Sequence, residues 1–189
     1  DQLLTLYALD LLRETPEVPI IADVKTSLVF FEQVAAHGGN PVMWRTGHSP
    51  IKTKMSELKA PLAGEMSGHI FFADRYYGYD DAIYASLRLS ELISHSDRTL
   101  SELIKEIPLY HSSPEIRIEC SNDEEKFKIS KKAEEYFSVK FNCSTVDGVR
   151  INFSDGWGLV RASNTQPVIV CRFEAKTRDR MEEIQNKIL

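Results

Sequence analysis

Residues 20–46 read IIADVKTSLVFFEQVAAHGGNPVMWRT, and this stretch decides the fold class of the first part of the chain. Its apolar start, Ile20–Val24, predicts a buried strand. The segment Leu28–Ala36 predicts a helix, and a second strand is expected at 41–46. A strand, a helix and a strand in this order favour an α/β layer with a mainly parallel sheet.

The sequence on both sides of this stretch continues the alternation of helices and strands. Its apolar positions recur at helical spacing, and its polar residues stand where helix caps are expected. The further predicted elements are an opening helix with Leu3, Leu4, Tyr7, Leu11 and Leu12 on its apolar face, a helix from Ser49-Pro50 to Lys59, a loop and strand over 64–74, a helix capped by Asp80, and a short helix with a Thr99/Glu102 capping box.

The last third of the chain has a different pattern, with strands that follow one another closely. Asp-Gly pairs at 147–148 and 155–156 predict tight hairpins, because glycine tolerates positive φ. This pattern predicts an antiparallel sheet covered by helices on one face. The predicted elements are a strand at 116–120, a helix opened by a Ser121/Glu124 capping box, strands at 141–146, 149–153, 158–162 and 168–173, and a closing helix over 177–188.

A short polar run that ends at Pro114 predicts the boundary between the two parts. We therefore expect one domain at 1–113 and another at 114–189. The first carries ten basic and fifteen acidic side chains, and the second carries thirteen of each. Neither domain is basic enough to indicate a nucleic-acid surface, so no nucleic-acid partner is expected.

The composition is that of a globular protein: of 189 residues, 42% are hydrophobic and 27% are charged. These proportions exclude disordered, collagen-like and coiled-coil chains. No apolar run approaches the ~18 residues of a membrane span, so no membrane partner is expected. Three widely spaced cysteines indicate neither a disulfide framework nor a zinc site, and they favour a cytoplasmic location. The first residue is Asp rather than Met, which suggests a piece of a longer protein.

The loop Arg161-Ala162-Ser163-Asn164-Thr165 joins two predicted strands and suits an anion. Arginine offers parallel charged donors to a phosphate, and Ser, Asn and Thr add neutral ones. The same residues also fit an ordinary polar hairpin with a solvated arginine. On residue types alone, both interpretations stay open.

A second candidate loop, Gly64-Glu65-Met66-Ser67-Gly68-His69, contains a carboxylate, a hydroxyl and an imidazole between two glycines. Such a loop suits vicinal sugar hydroxyls, and histidine can move a proton near neutral pH. Lys25 and His48 each follow a predicted strand in the same way. Because ligands gather at the carboxyl ends of parallel strands, we expect these residues to share one rim of the sheet. A capping serine and surface histidines are the alternative.

Together these motifs resemble the α-D-phosphohexomutases, specifically their bacterial phosphomannomutase/phosphoglucomutase branch. The resemblance is carried by 64–69 followed by Phe71-Phe72, by Thr46-Gly47-His48-Ser49, and by 161–165. It implies most of the third domain, a three-layer mixed α/β domain lacking its opening strands, followed by all of the fourth, an α+β domain like the TATA-box-binding-protein fold.

The resemblance also implies roles for individual residues. Glu65 and Ser67, with Met66 and Gly68 in the same loop, match the loop that contacts the hexose hydroxyls. Lys25 and His48 match substrate contacts, and His69 matches a histidine implicated in proton transfer. The matching phosphate-binding residues are Arg161, Ala162, Ser163, Asn164 and Thr165.

The family implies an enzyme that interconverts hexose 1-phosphates and 6-phosphates of glucose or mannose. Such an enzyme uses a phosphoserine, Mg²⁺ and a hexose 1,6-bisphosphate intermediate. The serine and the metal loop belong to N-terminal parts whose motifs do not occur in this sequence, so we expect this chain to be inactive alone and to hold no metal. The alternatives are a non-catalytic phosphate-binding module and, for the last 76 residues, an RNA-binding fold.

Overall fold

The computed structural model describes all residues from Asp1 to Leu189, and they form two compact units. The first unit is Asp1–Pro108 and the second is Leu109–Leu189. The predicted fold class, an α/β domain followed by an α+β domain with an antiparallel sheet, is confirmed. No helix in the structure combines the length and the apolar character that a membrane crossing requires.

The first unit contains one four-stranded sheet, in the order β2-β1-β3-β4. Strands β1, β2 and β3 run parallel, and β4 is antiparallel to β3. Its elements are α1 (Gln2–Glu14), β1 (Pro19–Asp23), α2 (Leu28–Ala36), β2 (Asn40–Trp44), α3 (His48–Leu58), β3 (Leu62–Gly64), β4 (Ile70–Phe72), α4 (Ala82–Ser94) and α5 (Leu100–Lys105).

The two faces of this sheet are covered by different helices, which makes the unit three-layered. Alternation along β1 places Ile20 and Ala22 in a core with α1, α2 and α4, whereas Ile21 lies in a second core with α3. Leu4 on α1 is 1% exposed, but Leu3 is 43% exposed, so the expectation that Leu3 joins the core is wrong. Consecutive residues of a helix point in different directions around its axis, so Leu3 and Leu4 cannot both face the sheet.

Strand β2 forms the outer edge of this sheet. The amide of Asn40 donates to the carbonyl of Val18 at 2.9 Å, so its backbone faces β1. Because successive residues of a strand point their N–H groups in opposite directions, the nitrogen of Pro41 faces away from β1. Proline has no N–H, and this edge therefore lacks one donor.

The second unit contains six strands, all antiparallel to their neighbours, in the order β5-β10-β9-β8-β7 with β6 also paired to β10. Its elements are β5 (His111–Ser112), β6 (Ile116–Glu119), α6 (Asp123–Ser138), β7 (Cys143–Ser144), β8 (Val149–Phe153), β9 (Gly156–Ala162), β10 (Val168–Ala175) and α7 (Arg178–Ile188). Residues 111–112, expected to close the first domain, pair with β10 and belong to this sheet.

Helices α6 and α7 cover one face of this sheet, as expected. Phe137 of α6 and Ile184 of α7 pack with Val149, Ile151 and other inward-facing strand residues in one core. On the other face, the Arg150 guanidinium lies 3.8 Å from the centroid of the Trp157 ring, and both residues are fully buried. The face of an aromatic ring attracts a positive charge, so this stacking stabilises the buried guanidinium.

The structure requires glycine at the two Asp-Gly pairs for different reasons. Gly148 has φ of 70°, as the hairpin prediction requires. The tight hairpin predicted at 155–156 is present, because Phe153 pairs with Gly156 across a two-residue connection, but Gly156 does not have positive φ. A Cβ at Gly156 would lie 2.3 Å from the Glu174 carbonyl oxygen, and close approach of two strands is what excludes a side chain.

Three helix starts differ from the predicted ones by one or two residues. Helix α4 is capped by Asp81, which accepts from the Tyr84 amide at 2.9 Å, and not by Asp80. Helix α6 is capped by Asn122 rather than Ser121. Helix α3 already begins at His48, so Pro50 lies within its first turn, where a missing N–H is harmless. The Thr99/Glu102 capping box of α5 is confirmed.

Candidate functional site

The carboxyl ends of β1, β2 and β3 meet at one rim of the first sheet, because the three strands are parallel. The loops that follow them are joined by hydrogen bonds. The Gly47 amide donates to the Glu65 Oε1 atom at 2.6 Å, and the Met66 amide donates to the Asp23 Oδ1 atom at 3.0 Å. The structure thus brings together three of the predicted loops.

Asp23 is the anchor of this rim, and sequence reasoning missed it. Its side chain is fully buried, yet it accepts hydrogen bonds from all three loops. Thr26 donates to Oδ1 at 2.7 Å and Thr46 to Oδ2 at 3.0 Å, in addition to the bond from Met66. A buried carboxylate is stable only when it is hydrogen-bonded in this way. The signal in the sequence was a charged residue inside an apolar strand.

Glu65 is held with its carboxylate at the turn between β3 and β4. It is 4% exposed, and its Oε2 atom accepts from the Ser67 hydroxyl at 3.1 Å. Gly68 closes the turn with φ of 101°, and its amide donates to the Glu65 carbonyl at 3.0 Å. Only glycine adopts this φ readily, so the turn that presents the carboxylate depends on Gly68.

His48, His69 and Asp80 form a cluster beside this turn. His69 Nδ1 lies 2.7 Å from Asp80 Oδ2, and His48 Nε2 lies 3.4 Å from the same oxygen. The two imidazole rings meet edge to face, with centroids 4.5 Å apart. Both histidine side chains are about half exposed, at 49% and 45%. An accessible imidazole with one nitrogen fixed by a carboxylate can exchange a proton through the other.

Lys25 lies two residues after the end of β1 and belongs to the same rim by its position in the chain. It is 9% exposed, so most of its side chain is covered. Lysine commonly buries its carbon chain while its ammonium group reaches a polar environment.

The predicted phosphate loop lies in the second unit, between β9 and β10. Arg161 is 4% exposed, and its Nε and Nη2 atoms donate to the Asp147 carboxylate at 3.1 Å and 3.3 Å. The guanidinium is therefore not solvated. Two of its five N–H groups are committed, which leaves three donors for another acceptor.

In the remainder of this loop, two residues are buried and two are exposed. Ser163 is buried, and its hydroxyl accepts from the Thr165 amide at 3.3 Å, whereas Asn164 and Thr165 are exposed. Lys126 on α6, only 2% exposed, donates to the Gln166 carbonyl at 3.0 Å. This adds a cation next to the loop that sequence reasoning missed, because nothing distinguishes Lys126 from the other lysines of α6.

Two protein-family models together match nearly the whole sequence. The model described as "Phosphoglucomutase/phosphomannomutase, alpha/beta/alpha domain III" matches residues 1–110, and the model of the C-terminal domain of the same proteins matches residues 115–189. The chain belongs to the phosphoglucomutase/phosphomannomutase family. The predicted resemblance is confirmed, and the chain carries domain III and the C-terminal domain.

Curated relatives agree with this membership. The chain is 47% identical over 188 residues to a phosphomannomutase/phosphoglucomutase of Pseudomonas syringae pv. tomato, which covers 98% of this chain and 40% of the relative. It is 44% identical over 191 residues to a phosphoglucomutase of Neisseria meningitidis serogroup A, covering 99% and 41%. This chain thus spans about two fifths of the length of these relatives.

Solved structures place the fold in the same family. A phosphoglucomutase/phosphomannomutase family protein from Burkholderia thailandensis superposes with a TM-score of 0.89 at 40% identity, over 98% of this chain and 39% of that one. The N-acetylphosphoglucosamine mutase of Aspergillus fumigatus, solved with GlcNAc-6P and magnesium, gives a TM-score of 0.70 at 14% identity, over 99% and 45%. The second likeness concerns the fold alone.

Proposed function

We propose that this chain is the substrate-binding part of an enzyme that interconverts hexose 1-phosphates and hexose 6-phosphates of glucose or mannose. The full-length enzyme would work through a phosphoserine and a hexose 1,6-bisphosphate intermediate, which would also act as its activator. The observation that carries the proposal is the rim on which Glu65, His48 and His69 lie together. Relatives named phosphomannomutase/phosphoglucomutase, with which this chain shares 47% identity, support it.

Glu65 and Ser67 would bind the sugar hydroxyls. A carboxylate can accept from two vicinal hydroxyls at once, and Glu65 is already positioned by Gly47 and Ser67 before a ligand arrives. Met66 and Gly68 contribute the shape of the turn, and Lys25 adds a cation to the rim. Because hydroxyl contacts fix the ring, either phosphate-bearing end of the hexose could be held in line with one reacting group.

His69 would move the proton at the hydroxyl that gains or loses phosphate. Asp80 binds its Nδ1 atom at 2.7 Å, which fixes the ring orientation and leaves Nε2 for the ligand.

The loop at 161–165 would bind the phosphate that is not being transferred. Backbone amides, the Ser163, Asn164 and Thr165 side chains and the remaining donors of Arg161 provide the contacts. Asp147 holds Arg161 in place, so a phosphate would share the guanidinium with a carboxylate. Ala162 packs in the core under α6 and α7 and would support the loop from below.

Magnesium in the full-length enzyme would be held outside this chain. Mg²⁺ prefers six oxygen ligands, whereas the His48, His69 and Asp80 cluster offers two nitrogens and one carboxylate. The residues present therefore do not fit Mg²⁺. The partners would be the phosphorylated hexose and the N-terminal domains of the same enzyme, in the cytoplasm.

Titration with glucose 1-phosphate, followed through backbone amide chemical shifts, tests the proposal. We expect perturbations near Ser67 and near Ser163, whereas inorganic phosphate should perturb only the second region. Galactose 1-phosphate, which differs at the 4-hydroxyl, is the matched control and should affect Ser67 less. If millimolar glucose 1-phosphate leaves both regions unchanged, the proposal is wrong. If inorganic phosphate reproduces the full effect, the chain is a phosphate-binding module instead.

A further inference from the structure

The cluster of His48, His69 and Asp80 has the donor set of a transition-metal site. One ligand atom from each residue lies within 4.8 Å of the other two. Two imidazoles and a carboxylate suit Zn²⁺ and its neighbours in the first transition series, and they do not suit Mg²⁺ or Ca²⁺. We propose that these three residues bind one Zn²⁺-class divalent ion when no sugar is bound at the rim.

The distances from Asp80 to the two histidines are within about 0.6 Å of those around a coordinated ion. With metal–ligand bonds of about 2.0–2.1 Å, neighbouring ligands of a tetrahedral zinc lie about 3.3 Å apart. His48 Nε2 and Asp80 Oδ2 are already 3.4 Å apart. His69 Nδ1 and Asp80 Oδ2, at 2.7 Å, share a hydrogen bond and must separate by about 0.6 Å once the ion replaces the proton between them.

The surrounding residues hold the three ligands in place. The Ile70 amide donates to Asp80 Oδ1 at 3.3 Å, which leaves Oδ2 directed at the two imidazoles. Asp80 also forms a backbone bridge with Phe71, whose buried ring packs edge to face against His48 at 5.4 Å. Ligands that neighbouring groups hold in this way bind metal more tightly than mobile ones.

The cluster is accessible to an ion from solution. The side chains of His48, His69 and Asp80 are 49%, 45% and 22% exposed. Three protein ligands leave at least one coordination position open toward water, as in sites that bind an exchangeable ligand. The same exposure lets His69 make the small movement that coordination requires.

Titration of the 189-residue chain with Co²⁺ in a non-chelating buffer tests the proposal, since four-coordinate Co²⁺ has a characteristic visible absorption. We expect one saturable equivalent, displaced by Zn²⁺ and not by Mg²⁺. His48→Ala and His69→Ala should each weaken binding by at least about tenfold. His95→Ala, which removes an exposed histidine elsewhere in the same unit, should leave binding unchanged.

Circular dichroism of each variant verifies that it folds. Because the His48 side chain is about half exposed, we expect its replacement to leave the fold intact. The proposal is overturned if sub-millimolar Co²⁺ gives no saturable absorption, or if His48→Ala binds as tightly as the original chain. A thiolate charge-transfer band would assign the ion to a cysteine and would overturn it as well.

Discussion

At the scale of single residues, Asp23 connects the loops of the rim more than any predicted site residue does. Its carboxylate accepts from Thr26, Thr46 and the Met66 amide while fully buried. Hydrogen bonds to a charged group contribute about 1.5–3 kcal/mol each. The position of the sugar-binding turn therefore depends on a residue that no ligand would touch.

Replacing this carboxylate tests that dependence. Asp23→Asn should lower the free energy of unfolding of the first unit by about 3 kcal/mol, because an amide nitrogen would face donors that now meet an oxygen. Urea unfolding followed by Trp44 fluorescence measures it. Asp97→Asn, at an exposed position, is the control and should change stability by less than about 0.5 kcal/mol. Equal effects of the two substitutions would contradict the role given to Asp23.

Cys171 provides a pH-dependent prediction. Burial raises the pKa of this thiol from its ordinary value of 9.0 to about 11. The folded state thus favours the neutral thiol. The stability that this preference contributes is fully present below pH 9, and it is lost as the pH rises toward 11. The loss should reach about 3 kcal/mol across that range.

Urea unfolding at several pH values between 8 and 11 measures this slope. Cys171→Ala should unfold more easily at every pH because of the cavity it leaves, but with a smaller decrease in stability at alkaline pH. Cys120→Ala, at a half-buried site, should retain the original slope. An unchanged slope in Cys171→Ala would show that other groups cause the alkaline loss.

At the scale of elements, two glycines with positive φ allow the cost of backbone strain to be measured apart from the cost of a steric clash. Gly38, after α2, has φ of 81° and open space around it, whereas a Cβ at Gly148 would lie 2.4 Å from the Val160 carbonyl oxygen. Left-handed backbone alone costs an alanine about 1–2 kcal/mol. A clash with a neighbouring strand adds to that, because backbone cannot move aside as a side chain can.

Gly38→Ala should therefore cost about 1–2 kcal/mol, and Gly148→Ala at least about 3 kcal/mol. Each unit contains one of the two tryptophans, Trp44 and Trp157, so their fluorescence reports the two substitutions separately. If Gly148→Ala costs no more than Gly38→Ala, the β7–β8 turn can shift away from β9 and the clash does not control its stability.

The elements themselves were predictable from sequence wherever periodicity was strong. The strand at 20–24, the helix at 28–36 and the capping box at Thr99 follow from local patterns, and the structure has them, with the strand one residue earlier at Pro19–Asp23. The adjacent carboxylates at 80 and 81 show where such reasoning stops. Either can cap a helix, and only the fold directs Asp81 to α4 and Asp80 to the two histidines.

The candidate site shows the same limit. The loops at 46–49, 64–69 and 161–165 could be chosen by their residue types, and the parallel strands explain why the first two meet. The pairing of Arg161 with Asp147 and the buried Lys126 depend on contacts between residues distant in sequence. No local pattern encodes those contacts.

At the scale of the whole molecule, we predict that the purified chain does not interconvert glucose 1-phosphate and glucose 6-phosphate. It offers groups that would bind the sugar and the distal phosphate, but the proposed phosphoserine and Mg²⁺ site would belong to other parts of the enzyme. A coupled assay against a no-protein control measures this. Turnover above that control, retained after removal of contaminating activity by a second chromatography step, would contradict the prediction.

The edge formed by β2 has a consequence for behaviour at high concentration. An exposed strand edge is a template on which another chain can add a strand, and long ordered assemblies can grow from it. Pro41 interrupts the row of outward donors, so an incoming strand would find no N–H at that position. The proline costs the sheet nothing internally, because its nitrogen faces away from β1. We therefore expect Pro41 to limit self-association through this edge in a crowded solution.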